Sequence, residues 1–143
     1  MEHEEFHEQL EKACGSGGET GKAARAVLEV LRPHIAREEE FAIPPLLLLP
    51  QLAAGLVTGD MARVLSKTAV LKEELPRMLA DHQRIVAALT RLMQAATEEK
   101  RYGFAKFAQK LILHAQLEEE VLYPAAILVG EYLRLWLEHN GGS

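Results

Sequence analysis

The chain has 143 residues, of which 48% are apolar and 26% are charged, and its formal net charge is −5. This composition predicts a folded domain with its own core and argues against intrinsic disorder. Lysine and arginine are scattered along the chain, so the basic patch typical of a nucleic-acid-binding protein is missing. Cys14 is the one cysteine, which excludes a disulfide framework and a cysteine-based zinc site.

Neither export nor membrane insertion is predicted. The first residues are acidic, where a signal peptide would be basic. The longest apolar stretch, residues 43–56, is interrupted by three prolines and is too short to span a bilayer. The expected location is therefore the cytoplasm, with no membrane and no nucleic acid among the partners.

The first half of the chain predicts two helices separated by a glycine-rich loop. A short helix over about residues 2–13 is followed by a loop from Cys14 to Gly21. A second helix begins near Lys22, and Pro44 and Pro45 are expected to kink or end it. An apolar continuation then reaches Leu56.

The second half of the chain predicts two longer helical regions. One runs from Met61 to about Ala96, and the other from about Tyr102 to Leu137. Strand signals are nearly absent. Four helices joined by short loops predict an all-α fold, an antiparallel up-down-up-down four-helix bundle. We expect a single domain over residues 1–138 and a disordered tail over residues 139–143.

One local pattern occurs twice. His34 is followed four residues later by Glu38, and His114 is followed four residues later by Glu118. Each of these glutamates opens a run of three glutamates, three apolar residues and a proline. On a helix this spacing places the imidazole and the carboxylate on one face, one turn apart, which is the geometry two side chains need to share a metal ion.

A further histidine precedes each copy of the pattern. His3 lies 31 residues before His34, and His82 lies 32 residues before His114. In an antiparallel hairpin, arms of equal length bring the two members of each pair to the same level. His7, one turn after His3, is an alternative or additional candidate that matches the repeat spacing less well.

The metal interpretation competes with a simpler one, in which each His-x-x-x-Glu pair is an ion pair exposed to solvent. Glu38 and Glu118, however, stand on stripes otherwise composed of apolar residues and histidine. An ionised glutamate buried there without a partner would be costly, and a divalent metal ion removes that cost for both. Four imidazoles and two carboxylates suit iron above all, with zinc or manganese as possible substitutes. The remaining glutamates of the two runs are expected to form a solvated acidic edge or to hydrogen-bond the ligands; these are Glu39, Glu40, Glu119 and Glu120.

The order His, His-x-x-x-Glu, His, His-x-x-x-Glu resembles hemerythrin-like domains of the HHE cation-binding type. The run Glu-Glu-Glu-Val-Leu-Tyr-Pro over residues 118–124 belongs to the same resemblance, which covers nearly the whole chain. It implies a four-helix bundle with a non-haem di-iron centre, in which Glu38 and Glu118 bridge the two iron ions. The full set of implied ligands is His3, His34, Glu38, His82, His114 and Glu118.

The resemblance also has a departure that bears on function. Oxygen-carrying hemerythrins have a His-x-x-x-His pair on the third helix, whereas Met78 and Val86 flank His82 here. We therefore expect a protein that binds or senses a small ligand such as O2, peroxide or NO, rather than an oxygen store. Enzyme status stays open. The alternatives are a di-iron oxidase or peroxidase, and an iron store or structural metal site, in a monomer or a homodimer.

Overall fold

A computed structural model of the protein describes residues 2–140, with side chains from residue 4 onward. All regular structure in this range is helical, which confirms the all-α class. The helices are α1 (Glu2–Gly15), α2 (Gly18–Arg37), α3 (Ile43–Leu46), α4 (Leu49–Ala53), α5 (Val64–Glu98), α6 (Tyr102–Leu117) and α7 (Tyr123–Asn140). A 3-10 turn (Gly59–Arg63) precedes α5, and π-helical turns (Glu38–Ala42 and Glu118–Leu122) follow α2 and α6. None of these helices has both the length and the apolar content that a membrane crossing requires.

The chain divides into two compact units, of which the first comprises residues 1–35 and 78–117. Its core is a four-helix bundle, because α1, α2, the second half of α5 and α6 all contribute apolar side chains to one cluster. The buried members are Leu10, Ala13, Ala24, Val27, Leu28, Leu31, Ile85, Ala88, Leu89, Leu92, Ala108 and Leu111. These residues recur at helical spacing, so the apolar stripes of the sequence are the buried faces of the helices.

The second unit comprises residues 36–77 and 118–143. Met61, Val64, Val129 and Leu133 form its buried cluster, which joins the start of α5 to α7. Gly130 lies directly against Thr68, and a Cβ atom at position 130 would collide with the Thr68 side chain. The absence of a side chain at Gly130 is therefore what allows α5 and α7 to approach so closely.

Helix α2 begins at Gly18 rather than near Lys22, so the predicted loop is much shorter than expected. The reason is a cap supplied from a distant part of the chain. The Glu99 carboxylate accepts hydrogen bonds from the backbone N–H groups of Glu19 and Thr20, each at 3.0 Å, and from the Thr20 hydroxyl at 2.5 Å. A carboxylate in this position satisfies N–H groups that have no partner within the helix.

This cap predicts a dependence of stability on acid. Its hydrogen bonds to Thr20 and Glu19 lower the pKa of Glu99 from the ordinary value of 4.5 to about 2. The folded pKa is the lower one, so the cap stabilises the fold above pH 4.5 and is lost as the pH falls through about 2. We expect Glu99→Gln to lower the melting temperature at neutral pH more than Glu98→Gln, its exposed neighbour. Thermal unfolding measured from neutral pH to pH 2 should show that the melting temperatures of the wild type and Glu99→Gln converge in acid. A difference in melting temperature that stays constant with pH would contradict the cap.

At the carboxyl end, α7 continues to Asn140, whose side-chain amide donates to the Trp136 carbonyl oxygen at 3.0 Å. His139 and Asn140 are thus helical, where the sequence predicted that the tail begins. The remainder of the predicted tail lies outside the described residues.

Candidate metal centre

Both glutamates of the repeated pattern stand at the first residue of a π-helical turn. In the first copy the backbone N–H of Ile43 donates to the carbonyl oxygen of Glu38, five residues back. Pro44 has no N–H for the Glu40 carbonyl oxygen, which instead accepts a hydrogen bond from the Lys67 ammonium at 3.2 Å. The prediction that the helix ends at Pro44 and Pro45 is corrected: regular α-helix stops at Arg37, and after the π-helical turn α3 runs through both prolines.

The second copy repeats this backbone feature, with Pro124 placed as Pro44 is in the first. Isolated π-helical turns occur frequently at functional sites. A π-helical turn is closed by bonds between residues five apart, and Tyr123 follows Glu118 by five residues. The same π-helical turn therefore begins at the glutamate of both His-x-x-x-Glu copies, in line with the similarity of their sequences.

His34 and His82 form a buried pair within the first unit. Their Nε2 atoms are 3.0 Å apart, and their rings lie with centroids 4.7 Å apart at 60°. Two nitrogen atoms that each lie about 2.1 Å from one metal ion, at a right angle to each other, are about 3.0 Å apart. The pair therefore fits two adjacent positions of one octahedral ion.

A buried carboxylate that the sequence did not assign to the site accompanies this pair. Asp81 Oδ2 lies 3.2 Å from Nδ1 of His34, and the guanidinium of Arg84 donates to the other oxygen of the same carboxylate. The acidic residue directly before His82 was visible in the sequence. Its contact with His34 was not, because 47 residues separate the two along the chain.

Glu38 and Glu118 form a second buried pair, within the second unit. The pKa of Glu38 is raised from 4.5 to about 10. Burial is the largest cause, and the hydrogen bond with Glu118 and the charge of Glu118 add to it. The Tyr123 hydroxyl donates to Glu38 Oε2 at 3.0 Å, which opposes this increase. Burial and the charges of the two carboxylates raise the pKa of Tyr123, so the hydroxyl keeps its proton and remains a donor.

The chemistry of these residues fits a divalent cation. Among the described residues, His34, His82 and Glu118 form a buried group whose ligand atoms lie within 4.8 Å of one another. Two histidines and one carboxylate are the ligand set of many non-haem iron(II) sites. A cation would also remove the cost of ionising two carboxylates that face each other in a buried place.

The remaining predicted ligands are placed as follows. His114 is half-buried on α6, with its ring edge-to-face against Phe6 at a centroid distance of 5.1 Å. The side chain of His3 lies outside the described residues. His7 is half-buried, and its Nε2 lies 3.0 Å from the Glu11 carboxylate. In the two glutamate runs Glu39, Glu40 and Glu120 are exposed and Glu119 is half-buried.

Comparison with protein-family models gives a match to the hemerythrin HHE cation-binding domain over residues 1–126. All six residues predicted as ligands lie within the matched range. No curated protein and no solved structure matches the chain.

Proposed function

The chain belongs to the hemerythrin family, through its HHE cation-binding domain, and from this premise we propose that it is a non-haem di-iron protein that binds a small ligand such as O2, peroxide or NO. Metal binding, typically of iron, is what family membership and the His/Glu cluster support directly. Beyond metal binding, we propose that a second iron ion is bound and that a small external ligand binds to the centre. We keep the cytoplasmic location and the monomer or homodimer as predictions within it.

The observation that carries the proposal is the buried cluster of His34, His82 and Glu118. It supplies two neutral nitrogen donors and one carboxylate, and its three protein ligands would leave positions of an octahedral ion open. Glu38, which is hydrogen-bonded to Glu118, would be a further carboxylate ligand. His114, together with His3 or His7, would complete the set for a second ion.

Bound iron would supply redox chemistry and open coordination positions. The chain's own residues contribute orientation, proton placement and exclusion of water. Tyr123 holds its proton on the hydroxyl oxygen and donates it in a hydrogen bond to Glu38, which fixes that carboxylate without charging the phenol. Burial of both glutamates and both histidines excludes bulk water from their polar atoms. These features suit a small uncharged ligand better than a large or highly charged one.

The proposal is tested by metal analysis of protein produced in iron-containing medium, followed by anaerobic and aerobic absorption spectra. We expect about two iron ions per chain and a visible band of the oxidised centre that changes on addition of azide or NO. Purified protein that holds a single zinc ion, with no iron even after anaerobic reconstitution, would overturn the proposal.

The same preparation separates the alternatives. Multiple turnovers of peroxide or NO under reducing conditions would identify an enzyme in place of a sensor. A structural or storage role predicts that metal raises the melting temperature by mass action, with no ligand-dependent change in the spectrum.

A further inference from the structure

Asp81 is the one buried carboxylate, among the residues that the structure describes, that does not belong to the predicted ligand set. Only 2% of its side chain is exposed, whereas 68% of its ion-pair partner Arg84 is exposed. An ion pair between residues three apart on a helix forms readily at the surface and gains little from burial. The pairing with Arg84 therefore does not explain why Asp81 is buried.

The contact with His34 gives this carboxylate a partner in the interior. An ionised carboxylate only accepts hydrogen bonds, so the hydrogen between Asp81 Oδ2 and His34 Nδ1, 3.2 Å apart, must reside on the imidazole nitrogen. A neutral imidazole with its hydrogen on Nδ1 carries a lone pair on Nε2. That atom faces Nε2 of His82 at 3.0 Å.

We propose that Asp81 is a positioning residue: it holds His34 as the Nδ1–H tautomer, with the Nε2 lone pair directed toward His82. Arg84 holds the second carboxylate oxygen from the surface and thereby fixes the rotation of Asp81. The order is Arg84, Asp81, His34, from solvent to the interior. Hydrogen bonding of a carboxylate to the distal nitrogen of a metal-ligating histidine fixes the ring and increases its basicity. The consequence for metal affinity rests on the proposed function, whereas the tautomer does not.

The tautomer is measured on metal-free protein labelled with nitrogen-15 in histidine, by long-range proton–nitrogen correlation spectra. His34→Gln assigns the signals. In the wild type we expect His34 Nδ1 to carry the proton and Nε2 to have the shift of an unprotonated nitrogen. Asp81→Leu replaces the acceptor by an apolar side chain and leaves Arg84 free to turn into solvent, so the Nε2–H form should gain population.

Two further variants keep the experiment decisive if Asp81→Leu does not fold. Asp81→Glu retains the acceptor and should restore the Nδ1–H form at least in part, which loss of packing alone would not do. Arg84→Gln changes only an exposed side chain and should produce a smaller shift toward the Nε2–H form. Arg77→Gln, which removes an exposed arginine paired with Glu74 on the same helix, is the matched control and should change nothing.

The second readout is the affinity for Zn²⁺, measured by competition with a chromophoric chelator. We expect Asp81→Leu to weaken Zn²⁺ binding about 10- to 100-fold and Arg77→Gln to leave it unchanged. A wild-type His34 with its proton on Nε2, or the same tautomer in wild type and Asp81→Leu, would overturn the positioning role. A tautomer change without a change in Zn²⁺ affinity would overturn the link to metal binding. Failure of the wild type to bind any metal would overturn the proposed function while leaving the tautomer result standing.

Discussion

Replacement of Glu118 by glutamine is expected to remove most of the bound iron, whereas the same replacement at Glu120 should leave the iron content near that of the wild type. Glu118 is buried and belongs to the cluster with His34 and His82, while Glu120 is exposed two residues further along the same π-helical turn. An amide binds iron more weakly than a carboxylate and does not compensate its charge. We expect the affinity to fall by more than about 100-fold, since loss of a direct ligand should exceed the loss of an outer-shell partner.

Glu118→Gln is nearly isosteric, so a loss of iron should occur without loss of the fold. Circular dichroism and the melting temperature of the metal-free variant are the controls. Inductively coupled plasma mass spectrometry on both variants, purified in parallel, gives the ratio of iron to protein. Equal iron losses in Glu118→Gln and Glu120→Gln would show that the wrong carboxylate has been assigned to the site.

Metal-free protein is expected to become less stable as the pH rises, which is the opposite of the usual behaviour of a glutamate in an ion pair. The pKa of Glu38 is about 10 in the fold and 4.5 in an unfolded chain, because burial and Glu118 disfavour its ionised form. The folded pKa is the higher one, so the stabilisation is complete below pH 4.5 and is lost progressively as the pH rises toward about 10. The uptake of one proton on folding lowers the free energy of unfolding by about 1.4 kcal/mol for each pH unit of increase.

Urea unfolding of chelator-treated protein at several pH values from 5 to 9 measures this slope. Glu38→Gln cannot ionise at this position and also relieves Glu118 of its charged neighbour, so its stability should be nearly independent of pH over the same range. Stability of the metal-free wild type that is flat or rises with pH would contradict the raised pKa of Glu38.

Added metal should reverse this dependence. Metal binds deprotonated carboxylates and neutral histidines, so its affinity should increase with pH through the histidine range. In unfolding experiments, one equivalent of Zn²⁺ should therefore stabilise the protein most at the pH where the metal-free protein is least stable. A pH-independent effect of Zn²⁺ would place the ion at ligands other than these.

Several features of the site followed from the sequence because they depend on neighbours along one helix. The spacing of four residues between His34 and Glu38 places both on the face that Val27 and Leu31 also occupy, and these four residues are buried in the structure. The same periodicity located the apolar faces around His82. A preference for α-helix and a helical period are properties of a few consecutive residues, so no knowledge of tertiary contacts was needed.

Other features depended on partners that are remote in sequence. The start of α2 was misplaced because its cap, Glu99, lies 80 residues beyond Glu19. The π-helical turn before Pro44 was missed because the Glu40 carbonyl oxygen that the proline leaves unpaired is satisfied by Lys67, 27 residues away. Local propensity contains no term for such contacts.

The sequence by itself determined the helical class, the apolar faces and the two one-face His-x-x-x-Glu pairs, since each is a matter of residue type at a fixed helical spacing. Only the tertiary structure decided which polar groups meet: Asp81 with His34, His82 with His34, and Tyr123 with Glu38 across 85 residues of chain. The physical reason is that burial makes each of these polar groups require a partner, and packing of distant helices decides which partner is within hydrogen-bond distance.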